Sequence, residues 1–279
     1  MKRVFLVMAS IMLLTSTMTI GCQKNISPQD IHEPHTLQTP APGPEHEPQT
    51  SQSMPIDPEF PDFISIKGLE YSTSLTMLEL VASGLCDEDI IPLRYMTDLK
   101  VLDLTGNNIS DIAPLSELQK LEELYLFSNN ISDITPLANL TSLKSLSCRS
   151  NNIDDISPLF GLTNLETLRL EENRICNIEP LTGLANLKFL NLGENLVSDI
   201  KPLAGLKSLE GLWLYYNSIS DTLPLADLTE LEELNLSDNN ISDITPLAEL
   251  AKLKWLGLEN NPIHEWSPVA HIENVGGRS

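Results

Sequence analysis

Basic residues are scarce in this chain: 17 Lys and Arg stand against 39 Asp and Glu, a formal net charge of −22. Phosphate backbones reward positive surfaces, so no nucleic acid is expected among its partners, and the charge fits solubility or a basic protein partner. Cysteine is limited to four residues, too few for a disulfide-built scaffold. No apolar run is long enough to cross a bilayer comfortably, the longest being Val4 to Leu14. Enzyme signatures are missing as well: there is no Gly-x-x-x-x-Gly-Lys phosphate loop, no His-Glu-x-x-His and no Gly-x-Ser-x-Gly. Downstream of residue 62 only His264 and His271 could serve as bases near neutral pH. The expectation is a protein that is not an enzyme, with no cofactor and no metal centre.

What is present is a period. Asn107, Asn129, Asn151, Asn173, Asn195, Asn217, Asn239 and Asn261 are each 22 residues apart, and each follows a strand-like run such as Leu99-Lys-Val-Leu-Asp-Leu104. One unit reads Leu-x-x-Leu-x-Leu-x-x-Asn-x-Ile-x-Asp-Ile-x-Pro-Leu-x-x-Leu, clearest in Leu121 to Leu140 and Leu231 to Leu250. In Leu-x-Leu the two leucines point to one side of a strand and the residue between them points to the other. No single unit can bury that leucine face alone, so neighbouring strands must pair in parallel and stack. Ile109, Ile112, Leu115, Leu118 and their counterparts then fill the interior from the returning segment. The result is a leucine-rich repeat solenoid of the α/β repeat class, with a curved parallel sheet on its concave face. So few residues remain before each next strand that the convex side is expected to consist of short 3₁₀ turns.

The Asn column is read as structural: each amide sits where the chain turns off its strand and can satisfy backbone groups of its own and a neighbouring turn. A row of amide ligands for a substrate is the other reading. In Ser132-Asp133-Ile134-Thr135-Pro136-Leu137 the Thr is expected to cap and the Pro to take the first helical position, as again in Ser157-Pro158, Thr245-Pro246 and Ser267-Pro268. Asp111, Asp133, Asp155, Asp199, Asp221 and Asp243 form a second column, broken by Asn177. These carboxylates are expected to accept hydrogen bonds from their own turns, with Ca²⁺ as the alternative. Leu75 to Asp98 is a 24-residue variant with Ser83 in place of Asn and a turn lengthened by Cys86-Asp87-Glu88. Ahead of it Pro61 to Leu69 looks like half a repeat covering the first strand. The last unit, from Leu253, departs at Pro262, Trp266 and Val269. About nine repeats and the half repeat make up a domain spanning residues 63–279.

Asn-x-Ile-x-Asp-Ile-x-Pro-Leu resembles the 22-residue class of leucine-rich repeats found in bacterial internalins and in regulators of protein phosphatases. The resemblance covers residues 63 to about 272. It implies a protein-binding scaffold without naming the partner.

The N-terminus supplies an address. Met1-Lys2-Arg3 is a basic start, Val4 to Leu14 an apolar core, and Thr19-Ile20-Gly21-Cys22 resembles a lipobox. Residues 1–21 are thus expected to be a signal peptide, with lipidation at Cys22; ordinary secretion and an uncleaved anchor are the alternatives. Such a protein would be exported and held as a lipoprotein on the outer side of a bacterial membrane, by an anchor that needs two or more chains to hold well. Residues 22–62 carry nine prolines among Gln, Thr, Ser, His and Glu, and read as a disordered tether. About forty such residues reach roughly 35 Å as a flexible coil and up to about 120 Å as polyproline. His32, His35 and His46 in it are too irregularly spaced to suggest a metal site. Cys86, Cys148 and Cys176 lie in different repeats facing different ways, which does not favour disulfides.

Outward residues of the strands line the concave face, and their composition is uneven. Early repeats offer Tyr125 and Phe127, the middle Ser145, Ser147 and Arg149. Later ones offer Arg169, Glu171, Glu172, Phe189, Asn191, Glu194, Trp213, Tyr215, Tyr216 and Trp255. Aromatics and Arg gathered in an aromatic-poor chain are what interaction hot spots look like; stacking of Phe189, Trp213 and Tyr215 across strands is the purely structural reading. Two functions follow. One is an envelope- or surface-displayed module binding a protein on its concave face through Tyr125, Phe127, Arg169, Glu171, Phe189, Asn191, Trp213, Tyr215, Tyr216 and Trp255. The other is an envelope scaffold that contacts cell-wall polymer or another lipoprotein.

Overall fold

A computed structural model describes residues 60–278. The signal-peptide, Cys22 lipidation and tether readings fall outside the described residues. Among the described residues are twelve short strands: β1 (Phe63–Ile66), β2 (Leu69–Ser72), β3 (Met77–Glu79), β4 (Val101–Asp103), β5 (Glu123–Tyr125), β6 (Ser145–Ser147), β7 (Thr167–Arg169), β8 (Phe189–Asn191), β9 (Gly211–Trp213), β10 (Glu233–Asn235), β11 (Trp255–Gly257) and β12 (Asn274–Gly276). From β3 to β12 they form one parallel sheet in sequence order. Ten strands spaced at about 4.8 Å give a sheet roughly 43 Å across. Each strand from β3 to β11 is followed by its convex segment, and Leu-x-Leu drives the register: Leu102 lies beside Leu124, and Leu190 beside Leu212. Their side chains are fully buried, with Ile109, Ile112, Leu115 and Leu118 closing the same core from the returning chain.

The returning segments are 3₁₀ turns, such as Ala113–Glu117, Thr135–Leu137 and Thr245–Leu247. Their capping differs from expectation. Thr135 caps nothing; the 3₁₀ turn begins at it, Pro136 comes second, and the orphan N–H of Thr135 is taken by Asp133 Oδ1 at 2.8 Å. Asp111, Asp155, Asp199, Asp221 and Asp243 accept from the residue two further on in the same way. The short Asx loop puts an acceptor in line with that N–H, which a Thr inside the turn cannot do. Asn177 performs the task with a neutral amide, at 3.0 Å from Glu179 N. Negative charge is therefore not what the column requires. Among the described residues no three His, Cys, Asp or Glu side chains gather closely enough to hold a metal ion.

The Asn column shows a direction. Asn195 Oδ1 accepts from Ile175 N at 2.9 Å, and its Nδ2 donates to Leu170 O at 3.0 Å, both in the preceding repeat. The same Nδ2 closes its own turn at Leu192 O and Gly193 O, each at 3.1 Å. Every amide thus ties its repeat to the one before it. In the first repeat no parallel strand precedes, and Ser83 stands there without penalty; Ser83 N and Leu85 N are instead acceptor-served by Asn107 Oδ1 from the repeat that follows.

A further column, not visible as a motif, sits just before the Asn. Ser128, Ser150, Glu172, Glu194, Tyr216, Asp238 and Asn260 all have φ between 50° and 59°, with Ala82 at 48° and Gly106 at 71° in the equivalent places. The left-handed residue turns the chain off the sheet and points the following Asn inward. Only Gly106, and less strongly Asp238 and Asn260, are residue types that favour it.

Both ends depart from the reading above. Pro61 to Leu69 is not half a repeat: β1 and β2 form an antiparallel hairpin outside the ten-stranded sheet, registered as Ile66 beside Leu69. Lys67 and Gly68 both have positive φ, 50° and 78°, which is the two-residue turn that reverses a strand tightly. Ile64 and Ile66 point into the core, while Lys67 Nζ reaches Asp89 at 3.0 Å in the one α-helical turn among the described residues, α1 (Asp87–Ile90). Cys86 N–H also donates to Asp89, at 2.9 Å. These bonds, from Cys86 first and then Lys67, hold the Asp89 carboxyl down at about 2. At the other end β12 adds a tenth strand from Asn274-Val-Gly, a sequence too short of leucine to suggest one.

Replacing Asn195 by Ala should leave Ile175 N–H and Leu170 C=O unpaired in a buried place, lowering stability by about 1–3 kcal/mol or somewhat more. Removing the amide of exposed Asn240, one residue past its column, should change little. Urea unfolding of both variants measures the contrast, and equal midpoints would contradict the tie between repeats.

Candidate functional site

Each repeat sends three residues outward on the strand side. The first column runs from Met77 through Val101, Glu123, Ser145, Thr167, Phe189, Gly211 and Glu233 to Trp255; the second from Glu79 through Asp103, Tyr125, Ser147, Arg169, Asn191, Trp213 and Asn235 to Gly257. The third lies just past the strands, where the ladder continues through Phe127, Arg149, Glu171, Gly193, Tyr215, Ser237 and Glu259. The expected partner-binding residues thus share one face, with one exception. Tyr216 occupies the left-handed position at the edge, more than half exposed, and meets the Tyr215 ring edge-on with centroids 6.2 Å apart.

Glycines decide how the large rings lie. Gly211 is flanked by Phe189 across the sheet and by Trp213 two residues on, and both rings fold over it; a Cβ there would come within 2.5 Å of Trp213 and 3.0 Å of Phe189. Tyr215 lies across Gly193 in the same manner, at 2.3 Å from a Cβ, and the Trp255 ring reaches over Gly257 at 2.8 Å. The structural alternative of rings packed on one another is thereby replaced by rings seated on bare backbone. Missing side chains in the outward columns give the aromatics room to lie down, while Phe189 remains 40% and Trp255 37% exposed. Arg169, Phe189, Asn191 and Trp213 enclose a shallow pocket of about 220 Å³. Asn191 is fixed there, its Oδ1 accepting from Gly193 N at 3.0 Å.

Beside the pocket is a charged cluster. Arg149 Nε donates to Glu172 Oε1 at 2.9 Å, a second guanidinium nitrogen donates to the same oxygen, and the Ser150 hydroxyl donates to Oε2. The guanidinium also lies 5.0 Å over the Phe127 ring centre, a cation–π contact. The Ser150 hydrogen bond, aided by Arg149 against the effect of burial, lowers the Glu172 carboxyl. Glu171 differs from what its place in an outward column implies. It is only 5% exposed, so it offers a partner no contact while the Tyr215 ring keeps its place, and burial raises its carboxyl above the ordinary range. Its neighbour Tyr215 is raised too, by burial and then by the negative charge of Glu171.

A model of leucine-rich repeats in two copies matches residues 97–139, 141–183, 185–227 and 229–271. The chain belongs to the leucine-rich repeat family. Within it the internalin-like kind is the one it resembles. A Listeria monocytogenes internalin, inlF, is 36% identical with a TM-score of 0.71, over 75% of this chain and 63% of that one. The internalin C2 of the same organism is 40% identical with a TM-score of 0.65, over 68% and 84%. This leucine-rich repeat chain therefore spans less than two thirds of the inlF structure. The ectodomain of an Arabidopsis thaliana membrane receptor kinase, solved in complex with CASPARIAN STRIP INTEGRITY FACTOR 2, is 25% identical with a TM-score of 0.67, over 74% and 27%. Comparison with curated proteins returned no match.

One methyl group tests the seating of the rings. Gly211→Ala should keep the far-ultraviolet spectrum and cooperative melt of the repeat array but displace Trp213 and Phe189, changing the near-ultraviolet dichroism and the tryptophan emission. Unchanged aromatic signals would show that the rings do not rest on Gly211.

Proposed function

We propose that this leucine-rich repeat protein is an exported binding module that holds a protein or peptide partner on its concave face, centred on β7 to β11. The observation that carries the reading is the group Phe189, Trp213 and Trp255, seated on glycines, the first and last exposed and Trp213 half-buried, beside the exposed Arg169 and its shallow pocket. Large rings held rigid lose little entropy when a partner covers them, which is how aromatic anchors come to dominate interfaces. Tyr125, Phe127, Asn191, Tyr215 and Tyr216 extend the surface to either side. Leucine-rich repeat domains commonly bind proteins or peptides, and the plant receptor ectodomain was solved with a factor bound. Binding, with no chemical step, is the role these side chains suit.

Export and anchoring rest on the sequence from Met1 to Cys22 and fit the company of internalins and a receptor ectodomain. No helix among the described residues is long and apolar enough to cross a membrane. The lipid at Cys22 would be the attachment, and the proline-rich segment would carry the repeats outward.

Trp213→Ala should weaken a partner captured by the full chain by about 2 kcal/mol or more, as loss of a central aromatic anchor does. Asp221→Ser on the convex side should leave affinity nearly unchanged. Calorimetry on both variants, with thermal melts as the folding control, decides between anchor and mere packing: a lower melt with unaltered affinity would remove the concave site. Separately, Cys22→Ser should yield a protein that is unprocessed or released and takes up no palmitate analogue. Membrane retention without label in the native chain would end the lipoprotein reading.

A further inference from the structure

Glu171 poses a problem that the concave face as described does not solve. Its Oε2 is buried and has no hydrogen-bond partner. Its Oε1 is 3.7 Å from Arg149 Nε, but that guanidinium is turned to Glu172 and stacked over Phe127. An unmatched carboxylate oxygen out of water is destabilising, and an apolar residue of the same shape would serve packing better. What covers Glu171 is local. The next residue in its column is Gly193, which has no side chain, and the Tyr215 ring lies across the gap that results.

We propose that Glu171 and the notch above Gly193 receive one cationic head group, the ammonium or guanidinium of a Lys or Arg side chain on the protein partner, when the Tyr215 ring turns aside. The inference rests on the concave-face reading and adds the chemistry of the partner to it. Charge complementarity supports it. Around the notch Arg149 is matched by Glu172, which leaves Glu171 and Glu194 as its acidic groups, with Arg169 acting on Glu171 from the second column. An entering cation would give Oε2 its missing donor and meet a tyrosine ring alongside, a charge-assisted hydrogen bond with a cation–π contact. The Tyr215 ring rests on backbone and meets Tyr216 at the exposed edge, and on swinging its hydroxyl gives up a hydrogen bond with the Asn191 side chain.

The test needs no partner protein. The full chain, with carbon-13 in its glutamate carboxyls, is titrated with n-propylguanidinium and n-butylammonium, and with n-butanol as the neutral control. The Glu171 signal, assigned by its absence in Glu171→Gln, should move saturably with either cation and titrate at lower pH when the cation is bound, while butanol leaves it in place. In Glu171→Gln the cation-induced shifts of the Tyr215 ring signals should weaken at least tenfold. Gly193→Ala, which puts a methyl group where the ring now lies, should weaken them as well with the carboxylate still present. No saturable shift at about 0.1 M cation, weaker than any useful head-group contact, overturns the proposal. So does a Glu171 signal that responds to Arg149→Met but not to added cation, because the carboxylate would then be served from within. Loss of partner binding in Trp213→Ala reports on the face as a whole, so the cation site can fail while the concave surface stands, and the reverse.

Discussion

A carboxamide with an acceptor at one end and two donors at the other is the joint on which the array depends. At Asn129 the oxygen accepts from Ile109 N–H at 3.1 Å while the nitrogen donates to Leu104 O at 3.0 Å and Leu126 O at 3.2 Å. Carboxylate in that place would lose both donor bonds, and a hydroxyl is too short to serve two repeats. Leucine burial supplies the free energy of stacking, but it is indifferent to a slip of two residues along a strand, which leaves the leucines on the same face. The amide is not, because its three contacts are in register only when neighbours align. Reach into the preceding repeat alone explains why Ser83 suffices at the start and Asn261 is still needed near the end, where it serves Ile241 N and Leu236 O.

Surface charge follows the same lattice. Just ahead of the strands Lys100, Glu122 and Lys144 alternate in sign, with Glu122 between its two partners at 3.2 and 2.6 Å, and Lys188 pairs with Glu166 at 2.7 Å. Each exposed pair contributes only about 0–1 kcal/mol. Like charges stacked at that spacing would repel, so alternation relieves an acidic chain of part of its self-repulsion where repeats stand closest.

The fold was legible because it is written eight times over. Spacing of Leu, Asn and Pro leads directly to parallel strands, a leucine core and 3₁₀ turns, all of which the structure contains. The left-handed column was hidden since backbone conformation there is imposed by the fold on Ser, Glu and Tyr as well as on the more tolerant Gly106, Asp238 and Asn260. The ends were misread where repetition stops: Lys67-Gly68 is a hairpin turn that half a repeat obscured, and β12 lacks the leucine pair that marks its neighbours. On the strand face the members of the columns could be named from sequence, yet not how they lie. Glu171 is buried by the absence of a side chain at Gly193 in the next repeat and by a ring two repeats away, a relation between columns that no single repeat displays.

The backward reach of each amide has a hereditary consequence. Any coding exchange that adds or drops one whole 22-residue unit between Asn107 and Asn239 hands every amide a preceding repeat with the backbone groups it requires. Such an event lengthens or shortens the sheet by one strand without a frameshift in its bonding. Meanwhile it moves whole blocks of outward residues past one another. Recombination can therefore shuffle the strand-side surface in large steps that point substitution could reach only slowly, while the hairpin at one end and β12 at the other go on sealing whatever array lies between them.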